Sequence, residues 1–122
     1  MKRSVVLILV LIAASVALGD RIEPNQAVII QDETNRVTLS CSYETSSEDI
    51  DLYWYRQYPN SEPQYILWKG ARSRDGRKHI PDPHFESSTT RTSTELIIKA
   101  ATLKDSALYY CALWKDPVIQ SF

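Results

Sequence analysis

An all-β fold, two antiparallel sheets packed as a sandwich and tied by one disulfide, is what this sequence predicts, and three observations carry that expectation. Short segments rich in Val, Ile, Thr, Tyr and Trp recur at intervals of about ten residues, separated by Pro, Gly, Asn and Ser. Cys41 and Cys111 flank Trp54, which lies in Leu-Tyr-Trp-Tyr-Arg-Gln, Leu52 to Gln57. Tyr109 stands two residues before Cys111 in Asp-Ser-Ala-Leu-Tyr-Tyr-Cys, Asp105 to Cys111, where a buried hydroxyl can bond back to its own corner. A sandwich needs a covalent tie between its layers and a large aromatic beside that tie, and Cys, Trp and Cys in this order supply both.

The chain has 122 residues, 43% of them hydrophobic, and a formal charge of −1. That is material for one ordinary domain, without the basic excess a nucleic-acid partner calls for. Lys2 and Arg3 precede an apolar run from Val5 to Leu18 with small residues at its end, Ala17-Leu-Gly19. Residues 1–19 therefore read as a secretory signal peptide, the run being shorter than the ~20 residues of a membrane span. Secretion implies an oxidising compartment, so the two cysteines read as a structural bridge rather than a metal or redox pair. Closing the long loop between them stabilises the fold by about 4 kcal/mol in the chain-entropy model.

Along the chain, Arg21 to Ile30 reads as a first strand, with Pro24 suited to a sheet edge. Asn35 to Tyr43 alternates cleanly, Val37, Leu39 and Cys41 on one face and Thr38, Ser40 and Ser42 on the other, the period of a half-buried strand. Glu44 to Asp51 is polar, acidic and aperiodic, and reads as a surface loop. In the next strand Leu52 and Trp54 point inward, while Tyr53, Tyr55 and Gln57 point outward, where a solvated sheet would carry Lys, Thr or Glu. A turn over Tyr58 to Pro63 leads into the strand Gln64 to Trp68. Lys69 to His79 reads as a basic loop holding Lys69, Arg72, Arg74, Arg77 and Lys78. Phe85 to Thr92 and Thr94 to Lys99, with Leu96 and Ile98 inward, read as two further strands. Ala101 to Asp105 connects to the strand of Tyr109 and Cys111.

Trp54-Tyr-Arg-Gln57, Asp105 to Leu113 and the signal peptide together resemble a T-cell receptor variable domain of the immunoglobulin superfamily, most like the alpha or delta type. Ala112-Leu-Trp114 also suits a gamma chain. The resemblance covers residues 20–114 and implies a V-type sandwich whose core includes Leu39, Trp54, Leu96 and Tyr109. It implies pairing with a second variable chain through Tyr55, Gln57, Pro63 and Tyr110, with Gln57 bonding its counterpart. Three loops would contact antigen presented on major histocompatibility-type molecules, or another surface ligand. Their candidates are Ser46, Ser47, Glu48 and Asp49, then Lys69, Arg72 and Arg74, then Leu113, Trp114 and Lys115. Such a receptor stands on the extracellular face of the plasma membrane and works with signalling subunits through regions outside this sequence.

The chain departs from the family twice. His84 stands where an arginine commonly pairs with the acid at Asp105, so the pair is either taken over by a neighbour such as Arg91 or absent. After Cys111 no Phe-Gly-x-Gly follows, so the last strand is expected to be incomplete, with 115–122 a short tail such as read-through from an unrearranged germline segment would give.

No catalytic constellation is visible. His79 and His84, with Asp82 between them, match no metal geometry, and no serine sits in Gly-x-Ser-x-Gly or beside an identifiable base. Neither enzyme activity nor a cofactor or metal is expected. The basic loop reads either as a solvated loop that keeps an edge unpaired or as an antigen contact, and Trp68 and Trp114 either close the core or anchor a partner. The rival functions are an unpaired variable-type adhesion or inhibitory receptor, and a secreted sandwich that binds no antigen.

Overall fold

Alternation along Val37–Glu44 places Val37, Leu39, Cys41 and Tyr43 in the interior and the residues between them toward solvent, and that strand is the spine of one of two packed sheets. The computed structural model describes residues 6–13, 19–26, 28–32 and 35–115. In chain order the strands are β1 (Val6–Ala13), β2 (Arg21–Pro24), β3 (Val28–Asp32), β4 (Val37–Glu44), β5 (Asp49–Gln57), β6 (Gln64–Arg72), β7 (Lys78–His79), β8 (Phe85–Thr89), β9 (Ser93–Ile98) and β10 (Ala107–Lys115). One turn of 3-10 helix, Leu103–Asp105, precedes β10. The front sheet runs β3-β1-β10-β5-β6-β7 and the back sheet β2-β4-β9-β8. All described pairings are antiparallel except that of β1 with β10. This is the V-type sandwich the sequence predicts.

Cys41 of β4 and Cys111 of β10 form the inter-sheet disulfide, with their Cα atoms 6.7 Å apart. Around it Leu39, Leu52, Trp54, Leu67, Leu96, Ile98 and Tyr109 are fully buried. Trp54 lies opposite Cys111 in the β5–β10 ladder, and its indole N–H donates to the buried Thr94 hydroxyl (3.2 Å) on the other sheet. An indole nitrogen at the centre of a core needs such an acceptor.

Three segments differ from their sequence reading. Arg21 to Ile30 is two strands in different sheets, broken after Pro24. The Asn25 N–H donates to the Ser40 carbonyl (2.9 Å) and its side chain accepts from the Ser42 hydroxyl (2.5 Å), closing β2 where the chain leaves the back sheet. The acidic and basic segments read as loops are in part strand, with Asp49 to Leu52 pairing against Arg72 to Lys69. Each lacks periodicity alone, but opposite charges across a ladder, Asp49 facing Arg72, favour the pairing. A register shift between Trp54 and Tyr55 bulges the ladder, so Ile66 and Leu67 are buried in succession. The apolar segment 6–13, to which the sequence reading assigned no strand, contributes β1, between β3 and β10. β10 itself is present through Lys115; residues 116–122, where any further strand would fall, lie outside the described residues.

At the end of the sandwich where β5 finishes and β10 begins, Tyr109 donates to the Asp105 carbonyl (2.7 Å), as its position two before the cysteine predicts. Burial pushes the Tyr109 phenol well above its ordinary pKa. Asp105 is itself buried and answers the open question of its partner: Arg56 Nη1 lies 3.2 Å away and His84 Nε2 reaches both carboxylate oxygens at 3.1 and 3.3 Å. Arg91 bonds Glu48 instead. The Asp105 carboxylate also accepts the Thr102 N–H (2.9 Å), completing a capping box on the 3-10 turn.

Removing that carboxylate would leave the half-buried Arg56, His84 and the Thr102 N–H without their acceptor. Asp105→Ala should therefore lower stability by about 3 kcal/mol, whereas His84→Ala, removing one partner near the surface, should lower it by about 1 kcal/mol. Urea denaturation of the two variants against the parent chain checks the ordering.

Candidate recognition surface

Because side chains alternate along a strand, β5 shows its second face to the outside of the front sheet, and that face is aromatic. Tyr53 and Tyr55 stack with centroids 6.2 Å apart, Tyr65 tilts against both, and Trp68 lies 6.3 Å from Tyr53. Tyr55 faces Tyr110 across the β5–β10 ladder. At the β7 edge His79 stacks on Tyr65 at 5.6 Å, its Nδ1 lying 2.7 Å from the Tyr65 hydroxyl. Desolvation by the surrounding rings, with the neighbouring Tyr53 and Tyr55 phenols adding to it, raises the Tyr65 pKa to about 12. An aromatic sheet face left partly exposed, with Tyr65 at 38%, suits a protein partner.

Gln57 sits at one corner of this face with its amide held at both ends. Its Nε2 donates to the Ser61 carbonyl (2.8 Å) and its Oε1 accepts from the Tyr110 hydroxyl (2.8 Å). An amide has two N–H groups and two lone pairs, so one of each is used within the chain and the amide plane is fixed. Pro63 is exposed beyond the same turn.

At the opposite end of the sheet the first two predicted loops are joined to each other. Arg72, in left-handed backbone (φ 59°), donates Nη1 to the Thr45 (2.7 Å) and Ser47 (2.8 Å) carbonyls and Nη2 to the Arg91 carbonyl (2.6 Å), and its guanidinium lies over the Tyr43 ring. Ser73 donates to the Glu48 carbonyl and the Asp49 carboxylate, both at 2.6 Å. Arg74 grips Asp51 at 2.7 and 3.0 Å, and its guanidinium lies 5.8 Å from the ring centres of both Trp68 and Trp114. Asp51 belongs to the outward set of β5 yet is only 3% exposed, because this cluster covers it. Gly70 permits the arrangement: a Cβ there would stand 2.2 Å from the Arg74 carbonyl oxygen.

Three cations of the basic segment, Lys69, Arg72 and Arg74, are thus engaged within the chain, while Arg77 and Lys78 are exposed. Ser46 is exposed, Ser47 and Thr45 cap the backbone of their own turn, and Glu48 pairs with Arg91 (2.7 Å). These residues, with Asp49, Arg72, Arg74 and the 39%-exposed Trp114, share one end of the sandwich. Lys69 instead reaches the Ser87 carbonyl on the back sheet (3.4 Å), Leu113 packs against the core, and Lys115 pairs with Asp20 (2.9 Å). Sequence reading missed Asp51, Tyr65 and Thr94. Asp51 shared the outward period of Tyr53 and Tyr55, which was the available signal; Tyr65 and Thr94 became visible only once the bulge and the facing strand were known. Among the described residues no group of three His, Cys, Asp or Glu side chains is placed to hold a metal ion, and no helix is long and apolar enough to cross a membrane.

A disulfide-tied two-sheet sandwich with an outward aromatic face and interlocked loops at one end defines an immunoglobulin-type variable domain. The sequence model of the immunoglobulin V-set domain matches residues 25–122. Human T cell receptor alpha variable 14/delta variable 4 is 32% identical over 114 residues, covering 87% of this chain and 94% of that protein. Human T cell receptor beta variable 13 is 32% identical over 88% of this chain and 83% of its own length, and human T cell receptor alpha variable 9-1 is 33% identical over 78% and 82%. The chain belongs to the T-cell receptor variable domains of the immunoglobulin V-set family.

Two outcomes test the geometry of this surface. Arg74→Ala would leave Asp51 buried without its cation and should destabilise the fold by about 3 kcal/mol. It should also make Trp114 more accessible to acrylamide quenching, a change that the Trp114→Phe background abolishes. Tyr65 sets an alkaline limit. Its folded pKa is raised above the unfolded value of about 10, so its contribution is fully present below pH 10. As pH rises toward 12 the unfolded chain loses this proton first, and the contribution disappears. Stability should therefore fall more steeply between pH 10 and 12 in the parent than in Tyr65→Phe, measured by denaturant titration at each pH.

Proposed function

We propose that this domain recognises antigen as one half of a paired receptor, with the sheet face of β5, β6 and β10 covered by a second variable chain. The outward cluster of Tyr53, Tyr55, Tyr65 and Trp68 carries the reading, since rigid aromatics supply contact area at small entropic loss and are enriched at interfaces. Gln57 meets the partner as an amide already oriented, with one N–H and one lone pair left for a counterpart, while Tyr55, Pro63 and Tyr110 lie around it. The end formed by residues 45–49, 72–74 and 113–115 then faces the ligand, a presented peptide or lipid or another surface molecule. Interlocking of the first two loops favours lock-and-key contact there, because little ordering remains to be done on binding. The resemblance to T-cell receptor chains supports the alpha or delta type. Residues 1–19 direct the chain into the secretory pathway, so the domain acts on the extracellular face of the plasma membrane.

Co-expression with a T-cell receptor beta variable chain tests the reading. The pair should co-elute on size exclusion, and Tyr55→Arg should weaken it at least tenfold, about 1.4 kcal/mol. The thermal midpoint of the isolated chain should stay unchanged, since Tyr55 is only half-buried. Pairing indifferent to Tyr55→Arg would remove the second-chain assignment.

A further inference from the structure

We infer that Asn60 is a modification site, where the side-chain amide is lost through attack by the following backbone nitrogen and water, and that the product loosens the Gln57 corner of the aromatic face. The chain has three asparagines, Asn25, Asn35 and Asn60, followed by Gln26, Arg36 and Ser61. Ring closure requires the nitrogen of the next residue to reach the asparagine Cγ. A long side chain on that residue crowds the approach, whereas the small Ser61 leaves it open. The surroundings select the same position. Asn25 is held through its side-chain oxygen by the Ser42 hydroxyl and through its N–H by the Ser40 carbonyl, and the Asn35 carbonyl accepts the Ala101 N–H (3.0 Å) at the head of β4. Asn60 stands exposed in the turn between β5 and β6, in left-handed backbone (φ 59°) directly after Pro59, the pattern of a type II turn. A residue with a Cβ holds that conformation at a cost, which opening of the turn releases. The Ser61 N–H donates to the Tyr58 carbonyl (3.1 Å), and a bond in so exposed a turn opens locally without unfolding the strands on either side.

In the opened turn the Ser61 nitrogen gives its proton to solvent base and attacks the Asn60 Cγ. The new N–Cγ bond closes a succinimide ring, and the Cγ–Nδ2 bond breaks with ammonia as the leaving group. Water then adds to one of the two ring carbonyls and the ring opens there, giving aspartate or isoaspartate. No atom changes oxidation state, and water is the co-reactant. Either product adds one negative charge to a chain of formal charge −1. Isoaspartate also inserts a methylene into the main chain between residues 60 and 61. The Ser61 carbonyl is the acceptor of the Gln57 Nε2 (2.8 Å). Moving it frees one end of that amide and leaves the other on the Tyr110 hydroxyl (2.8 Å). The covalent change depends on the turn alone. Its effect on pairing rests on the reading of this face as covered by a second variable chain.

Ageing the folded chain in mildly alkaline buffer, followed by tryptic mass mapping, tests the site. The peptide from Gln57 to Lys69 should show the mass gain of amide-to-carboxyl exchange several-fold sooner than the peptides holding Asn25 and Asn35, and protein isoaspartyl methyltransferase should label it. Asn60→Gly, which keeps the left-handed backbone without strain, should show neither change. Conversion at Asn60 no faster than at the other two asparagines would overturn the site, and so would conversion confined to the chain unfolded in urea. In the aged chain the Gln57 side-chain amide protons should exchange several-fold faster with solvent than in the fresh chain; unchanged exchange in fully converted material would overturn the loosening of Gln57. Pairing with a T-cell receptor beta variable chain should weaken about tenfold in the purified isoaspartate form, with Asn60→Asp, which adds the charge but not the methylene, falling between it and the fresh chain. Equal pairing by all three would overturn the effect on the face. A fresh chain that does not pair would instead remove the second-chain reading, and the mass and Gln57 measurements would still decide the site.

Discussion

Two ties run side by side through the middle of this domain, and the rest of the structure hangs on them. Cys41 of β4 is bonded to Cys111 of β10, and one strand over in each sheet Thr94 of β9 accepts the indole N–H of Trp54 on β5. The ladders place Cys41 opposite Thr94 and Cys111 opposite Trp54. One covalent bond and one buried hydrogen bond thereby lock the registers of the four central strands at one level. A slip of one residue in any of them would turn every inward side chain outward. The two ties also differ in kind. The disulfide acts largely by restricting the unfolded chain, while the indole bond acts in the native state, by sparing a buried donor the loss of water.

Fixing the inward set fixes the outward one. With Leu52 and Trp54 committed to the core, Asp51, Tyr53, Tyr55 and Gln57 are presented together on the other side of β5. The bulge after Trp54 shifts the facing register of β6, and Tyr65 and Trp68 join the same outward cluster. Core and recognition face are therefore two readings of one strand. Selection for an aromatic partner surface cannot proceed on β5 without the inward pattern that holds its register.

Period-2 alternation explains how much was legible. β4 and the core of β5 could be read because apolar and polar residues alternate without interruption, and Tyr109 because its spacing from Cys111 implies a corner. The segments that escaped are those whose order comes from partners distant in the chain. Asp49 to Asp51 and Lys69 to Arg72 look like charged loops one at a time and become strands only against each other. Pro24 was visible as an edge signal, but the change of sheet that follows it depends on Ser40 and Ser42 offering bonds to Asn25. The replacement of an arginine by His84 left the ion pair either to a neighbour such as Arg91 or absent. Arg56, which reads from sequence as part of the β5 motif, carries that charge to Asp105 from a different strand.

The same logic bears on how the two ends of the sheet can do different work. At the Gln57 end an amide is oriented but left with spare bonding capacity, which suits a partner that must be chosen by matching polar groups. At the Asp51 end the carboxylate is gripped by Arg74 beneath two indoles, and the backbone carbonyls of residues 45, 47 and 91 are taken up by Arg72. Little polar capacity remains there among these groups, so what this end offers is shape: the Trp114 indole beside the Arg74 guanidinium and two loops held in place. Discrimination by a preformed surface of that kind depends on excluding what does not fit.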